Sequence, residues 1–94
     1  MTPESRIKED VKKYLDSIGA YQFWPVQTGY GDASLDCLAC IHGYFFAIET
    51  KRPGIIKPTV RQAQCMTRIE RAHGHALLIN EIGQAEQTIR SILF

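Results

Sequence analysis

The segment from Asp36 to Lys51 constrains the fold of this chain more than any other. It consists of two short apolar runs separated by His42-Gly43. Asp36 opens the first run, and Glu49 and Lys51 close the second. This pattern predicts a β-hairpin, and because residues two apart in a strand share a face, Glu49 and Lys51 should point the same way.

The predicted turn also sets the register of the two strands. If His42-Gly43 is a two-residue turn, Ile41 pairs with Tyr44, and counting outward places Asp36 opposite Glu49. Directly opposed Cβ atoms in an antiparallel pair lie about 4.5–5.5 Å apart. Two carboxylates at that separation repel each other unless a positive charge lies between them. The hairpin therefore predicts a divalent cation held by the two carboxylates, with Lys51 beside it.

The rest of the chain supplies the elements of one α/β domain over residues 1–94. Its composition, 45% hydrophobic and 22% charged, is typical of a globular protein. Periodicity, caps and turn residues predict helices over 4–18, 59–73 and 84–93 and strands over 21–26, 35–41, 44–51 and 76–79. The order is αβββαβα. The third strand, second helix and fourth strand form a crossover, so we expect a mixed sheet with helices on both faces.

The chemistry of the hairpin favours magnesium or manganese over zinc. Oxygen ligands suit these hard cations, and magnesium takes only one or two protein carboxylates beside substrate phosphates. The backbone carbonyl of Thr50 could add a ligand. Such a set suits attack of water on a phosphodiester. A zinc site is the alternative, but Cys37 and Cys40 should point to opposite faces of their strand.

These residues resemble the signature of the PD-(D/E)XK nuclease superfamily, an aspartate followed by Glu-X-Lys at the end of a hairpin. The whole chain resembles a stand-alone VRR-NUC domain of the short, phage-encoded kind. Glu4 at the start of the first helix and the Thr59–Gln62 helix start add to the likeness. The resemblance implies a restriction-endonuclease-like fold, a mixed β-sheet flanked by helices.

The resemblance also implies roles for individual residues. Asp36, Glu49 and the Thr50 carbonyl would hold the metal, and Lys51 would be the catalytic lysine. Glu4 would reach the metal directly or through water, and Gln62 would project into the site. Each of the last two has a simpler interpretation: an acidic residue stabilises the first turn of any helix, and Gln62 could complete a capping box.

Two nearby features leave alternatives open. Gln64 could replace Gln62 in the site, and Asp32, in a glycine-rich loop, competes with Asp36 as the site carboxylate. Where the family usually has a glycine and often a proline before its aspartate, this chain has Ala33 and Leu35.

Cations concentrate in the span that follows Lys51, although the net charge is only +1. Arg52, Lys57 and Arg61 are candidate phosphate contacts, and Tyr30 could stack on a base. A solvated helix and loop surface is the simpler interpretation for any one of these residues.

The sequence and its resemblance together predict a metal-dependent endonuclease that hydrolyses DNA. The substrate would be branched or Holliday-junction-like DNA, the active form a homodimer, and the setting DNA repair or recombination. Magnesium, or manganese in its place, is the one cofactor expected. The alternatives are a non-catalytic nucleic-acid-binding module and a restriction or toxin-type nuclease that needs a partner chain. No signal or membrane segment is visible, so we expect the cytoplasm of a bacterial or phage-infected cell.

Overall fold

The structure, a computed structural model, describes residues 1–27 and 34–94, and Tyr30, Asp32 and Ala33 lie outside them. Its elements follow the predicted order αβββαβα: α1 Pro3–Ser17, β1 Tyr21–Phe23, β2 Cys37–Ile41, β3 Tyr44–Thr50, α2 Val60–Arg71, β4 His75–Ile79 and α3 Ile82–Leu93.

The sheet has the strand order β1-β2-β3-β4 and is mixed, as predicted. Strands β1, β2 and β3 are antiparallel neighbours, whereas β3 and β4, joined through α2, are parallel. Ile41 pairs with Tyr44, which confirms the register predicted for the hairpin. The turn works because His42 and Gly43 both take positive φ angles, 51° and 86°, as a tight two-residue hairpin turn requires.

Most strand and helix ends differ from prediction by one to three residues, and two of these differences have a clear local reason. Strand β1 ends at Phe23 rather than at residue 26, since Pro25 cannot donate to the ladder. Helix α3 begins at Ile82 rather than at residue 84, because the Glu81 side chain accepts hydrogen bonds from Gly83 N (2.8 Å) and Gln84 N (3.1 Å). Strand β4 begins one residue early, at His75.

The main core lies between one sheet face and the helices α1 and α3. Helix α1 begins with Thr2, whose side chain accepts from Ser5 N, and buries Ile7, Val11 and Leu15 as its periodicity predicts. Their partners are the inward residues of β2 and β3 and the apolar side of α3. This face fixes the two central strands, at whose ends the candidate site lies.

Helices lie on both faces of the sheet, as predicted, but the opposite face is covered only in part. Helix α2 packs mainly on β3 and β4, the strands it connects. None of its residues is fully buried, and Val60, expected in its buried stripe, is 77% exposed. Tyr21 and Phe23 of β1 and Phe45 of β3 also remain exposed. A crossover helix sits above its own two strands and leaves β1 and β2 open.

Candidate metal and active site

Two hydrogen bonds from Thr50 hold the Asp36 side chain at the end of the β2–β3 ladder. Its Oδ2 accepts hydrogen bonds from Thr50 N (3.0 Å) and from Thr50 Oγ1 (2.7 Å). By the hairpin register, Thr50 lies opposite Leu35, so the aspartate side chain takes the N–H that the next ladder bond would have used. The carboxylate is thereby held against β3, and Asp36 is also hydrogen-bonded to Glu49.

Glu49 is the buried carboxylate of the pair, with 5% of its surface exposed. Its Oε2 accepts from Gln62 Nε2 at 2.8 Å and lies 3.9 Å from Lys51 Nζ. Glu49 and Lys51 therefore do share a face, as predicted from their spacing. A surface ion pair on an edge strand is excluded as the interpretation of these two residues, because β3 is an inner strand and Glu49 is buried.

The pKa of Glu49 reflects its burial and its closeness to Asp36. Burial is the main cause that raises the pKa of Glu49 from 4.5 to about 7, and the charge of Asp36 raises it further. The cation of Lys51 opposes this shift. Burial and a neighbouring carboxylate disfavour ionisation of Glu49. A divalent cation bound between the two carboxylates would reduce their repulsion. The donor set of carboxylate oxygens fits magnesium or manganese.

Gln62 carries both roles that the sequence left as alternatives. Its Oε1 accepts from Thr59 N (2.9 Å) while Thr59 Oγ1 accepts from Gln62 N (3.2 Å), which completes a capping box. Its Nε2 donates to Glu49 Oε2. Helix α2 thus presents its first turn to the site, whereas Gln64 is exposed.

Glu4 is not brought into the same cluster. It is exposed in the first turn of α1. The described residues contain no group of three or more histidine, cysteine, aspartate or glutamate side chains suited to holding a metal ion. Pro3 does line a hollow with Arg52 and Pro53, so the start of α1 lies beside the loop that follows Lys51. The role of Glu4 as a ligand stays a prediction.

The predicted nucleic-acid contacts are accessible but untested. Arg52, Lys57 and Arg61 are exposed, and Tyr30 falls outside the described residues. Cys37 is buried and Cys40 exposed, which confirms that they point to opposite faces.

The Thr50 hydroxyl is the site group that sequence reasoning missed, since only its backbone carbonyl was considered. The hairpin register could have indicated this contact, because it places Thr50 opposite Leu35, the residue that precedes Asp36. Leu35 also has a structural explanation: it is fully buried, so an apolar side chain at that position contributes to the interior.

Comparison with known proteins bears on the fold. No family model matches the sequence, and no curated protein matches it significantly. A solved structure described as a "VRR_NUC domain" superposes with a TM-score of 0.81 at 20% identity, covering 96% of this chain and 97% of that one. The fold is that of a VRR-NUC domain. The superposition confirms the architecture expected from the resemblance.

Among the described residues, no helix is both long and apolar enough to cross a membrane.

Proposed function

We propose that this chain is a divalent-metal-dependent endonuclease that hydrolyses DNA phosphodiester bonds. The observation that carries the proposal is the pairing of Asp36 with the buried Glu49 at the ends of two inner strands, with Lys51 Nζ 3.9 Å from Glu49. The VRR-NUC fold supports the same reaction class.

Each side chain has a part in this mechanism. Asp36, Glu49 and the Thr50 carbonyl would hold magnesium or manganese, and Glu4 would contribute directly or through water. When bound, the metal supplies Lewis acidity and makes a water molecule more acidic. Lys51 orients the attacking water and balances the negative charge that develops on the phosphate.

Two hydrogen-bonding side chains position the ligands. Gln62 donates to Glu49 Oε2, and Asp36 is hydrogen-bonded to Glu49 as well. The Thr50 N–H and hydroxyl both donate to Asp36 Oδ2. Arg52, Lys57 and Arg61 would contact phosphates of the DNA on either side of the bond that is cut.

The test compares cleavage of branched, flapped and linear DNA with magnesium, manganese or EDTA. We expect metal-dependent cutting that Lys51→Ala and Asp36→Ala reduce by roughly 100-fold or more. Lys13→Ala, which removes an exposed lysine of α1, is the matched control and should cut normally. Equal cutting by all four proteins would refute the assignment. Magnesium-independent binding without any product would favour a non-catalytic module instead, and activity only with added protein would favour a nuclease that needs a partner.

We further propose that the active form is a homodimer acting on branched DNA in repair or recombination, in the cytoplasm of a bacterial or phage-infected cell. A chain of 94 residues offers little surface to hold a branched duplex. A two-fold dimer would present two sites and cut two strands symmetrically. Sedimentation on and off junction DNA tests this, and a monomer under both conditions would contradict it.

A further inference from the structure

An aromatic surface lies on the sheet face that also carries Glu49 and Lys51. The register of the three antiparallel strands sets neighbouring side chains of this face in rows. One row across β1, β2 and β3 is Tyr21, Cys40 and Phe45, and the next is Phe23, Leu38 and Ala47. The following row contains Asp36 and Glu49, which lie opposite each other by the same register. The aromatic rows and the candidate site therefore form one continuous surface.

The open part of this surface, here called the trough, extends over β1 and β2 beside α2. Leu38 and Cys40 of β2 form its floor, and Tyr21 and Phe23 form its outer edge. These two aromatic side chains are 72% and 54% exposed, and Phe45, beside α2, is 46% exposed. Exposure of three aromatic rings on one face is unusual in so small a domain, where apolar area is scarce.

Helix α2 supplies a basic wall to the trough. A hollow of about 660 Å³ between the helix and the hairpin is lined by Phe45, Cys65 and Arg68, among others. Arg61 lies seven residues before Arg68, two helical turns away on the same side of α2, and is exposed. Helical spacing therefore places Arg61 and Arg68 along the same side of α2, the side that borders the trough.

The strands that form the trough carry no acidic residue away from the candidate cation site. Strands β1, β2 and β3 contain a single acidic residue, Glu49, and Asp36 directly precedes β2. Both belong to the candidate cation site at one end. An elongated anion with flat apolar groups therefore matches the trough: phosphates along the arginines and planar rings against the aromatic side chains.

We propose that this trough binds an unpaired DNA strand and leads it to the Asp36–Glu49 site. Its bases stack on Tyr21, Phe23 and Phe45, which act as binding rather than catalytic residues. Bases in a duplex already stack on one another, so only an unpaired strand offers free faces to the rings. The last step, delivery of a phosphate for hydrolysis, rests on the proposed nuclease function.

The spacing of the rows suits a DNA strand that runs across the sheet face from the Tyr21 row towards the Glu49 row. Rows two residues apart along a strand are separated by about 6.6 Å. The Phe23 row is therefore one such step from the Glu49 row, and the Tyr21 row is two. Successive bases can occupy successive rows while the phosphates pass Arg68 and then Arg61.

A second copy of this chain fits the trough less well. A symmetric contact between two such faces would set the arginines of one protomer against strands β1, β2 and β3, whose single carboxylate, Glu49, belongs to the cation site. It would also bury these cations without partners, which is costly.

The test measures DNA binding in EDTA, so that no cleavage is needed. A short oligothymidylate and a blunt duplex are compared for the wild type and for the double variant Tyr21→Leu/Phe23→Leu, which keeps apolar bulk but loses the rings. Since stacking on one ring is worth about 1–3 kcal/mol, the Kd for the oligothymidylate should rise on the order of ten-fold per ring. The Kd for the duplex should not change.

Phe94→Leu is the matched control, because Phe94 is 90% exposed and follows α3, which packs on the opposite face of the sheet. It should bind both DNAs like the wild type. Photo-cross-linking of wild-type protein to DNA containing 5-iodouracil gives an answer that does not depend on variants that fold. Cross-links should map to residues 21, 23 or 45.

Three results would overturn the proposal: unchanged oligothymidylate binding by the double variant, cross-links confined to other segments, or a double variant that sediments as a smaller species and loses both DNAs equally. The last would identify the face as an interface between copies. Ring-dependent strand binding by a protein that never cuts DNA with magnesium would leave this proposal intact and refute the nuclease function alone.

Discussion

Glu49 is the residue on which the chemistry of the site depends. It is buried, it accepts from Gln62, and it lies between the charge of Asp36 and that of Lys51. Burial and the neighbouring carboxylate both favour its neutral form, and this explains why its pKa is raised to about 7. Without a cation, the ionised form of Glu49 costs folding free energy.

This shift predicts a pH dependence of stability in metal-free protein. Between pH 4.5 and about 7 the folded state holds a proton on Glu49 that the unfolded state has released, so the free energy of unfolding should fall as pH rises. The loss should reach about 3 kcal/mol and level off above the folded pKa. Glu49→Gln removes this pH dependence. The free energy of unfolding of the variant, measured relative to that of the wild type, should therefore increase as the pH rises from 4.5 to about 7.

Urea unfolding in EDTA across that pH range measures the effect. Glu70→Gln, which neutralises an exposed carboxylate of α2, is the control and should run parallel to the wild type. Parallel curves for Glu49→Gln and the wild type would show that Glu49 ionises in the fold as easily as in the unfolded chain.

At the scale of the elements, the first turn of α2 joins helix stability to the site. One side chain, Gln62, closes the capping box with Thr59 through its oxygen and holds Glu49 through its nitrogen. The start of the helix and the end of β3 are therefore coupled, although the loop between them contains Pro53, Gly54 and Pro58.

Loss of this side chain should cost more than loss of a cap alone. Gln62→Ala removes both bonds, including one of the donors to the buried Glu49 carboxylate, so it should destabilise the protein by about 1–3 kcal/mol. Gln64→Ala, two residues away and exposed, should change stability by less than about 0.5 kcal/mol. Thermal or urea unfolding at neutral pH measures both.

Gln62→Glu separates the two contributions. It keeps an oxygen for the Thr59 N–H but has no N–H for Glu49 and adds a like charge, so it should stay destabilised at neutral pH. Wild-type stability for this variant would mean that the cap is all that Gln62 provides.

At the scale of the whole molecule, the fold holds the two carboxylates side by side at the open end of the hairpin and places the first turn of α2 beside them. The unfolded chain does not hold them in this arrangement. A cation that binds here should therefore bind the folded state preferentially and stabilise it.

Magnesium or manganese should accordingly raise the Tm of the wild type. At a concentration 100 times Kd the gain is about 2.7 kcal/mol, and each kcal/mol raises the Tm of a domain this size by roughly 4–8 °C. Asp36→Asn should lose this metal-induced shift, and Lys13→Ala should keep it. Differential scanning calorimetry with and without metal provides the comparison, and an equal shift in all three proteins would place the cation elsewhere.

The sequence by itself determined the element order, the hairpin register and the neighbourhood of Glu49 and Lys51. These follow from short-range rules: the period of a strand, the turn preference of His42-Gly43 and the capping pattern of Thr59 and Gln62. Asp36 and Glu49 could be paired from the sequence because their contact is set by counting along one hairpin.

Only the tertiary structure decided which surfaces are covered. Val60 fits a buried stripe by its spacing but lies exposed, and Tyr21, Phe23 and Phe45 resemble core residues by type but face the trough. Burial depends on where a helix settles over a sheet, and α2 is restricted to the two strands it connects. The hydroxyl bond from Thr50 to Asp36 belongs partly to this class: the register places Thr50 opposite Leu35, but only the structure shows where the two side chains point.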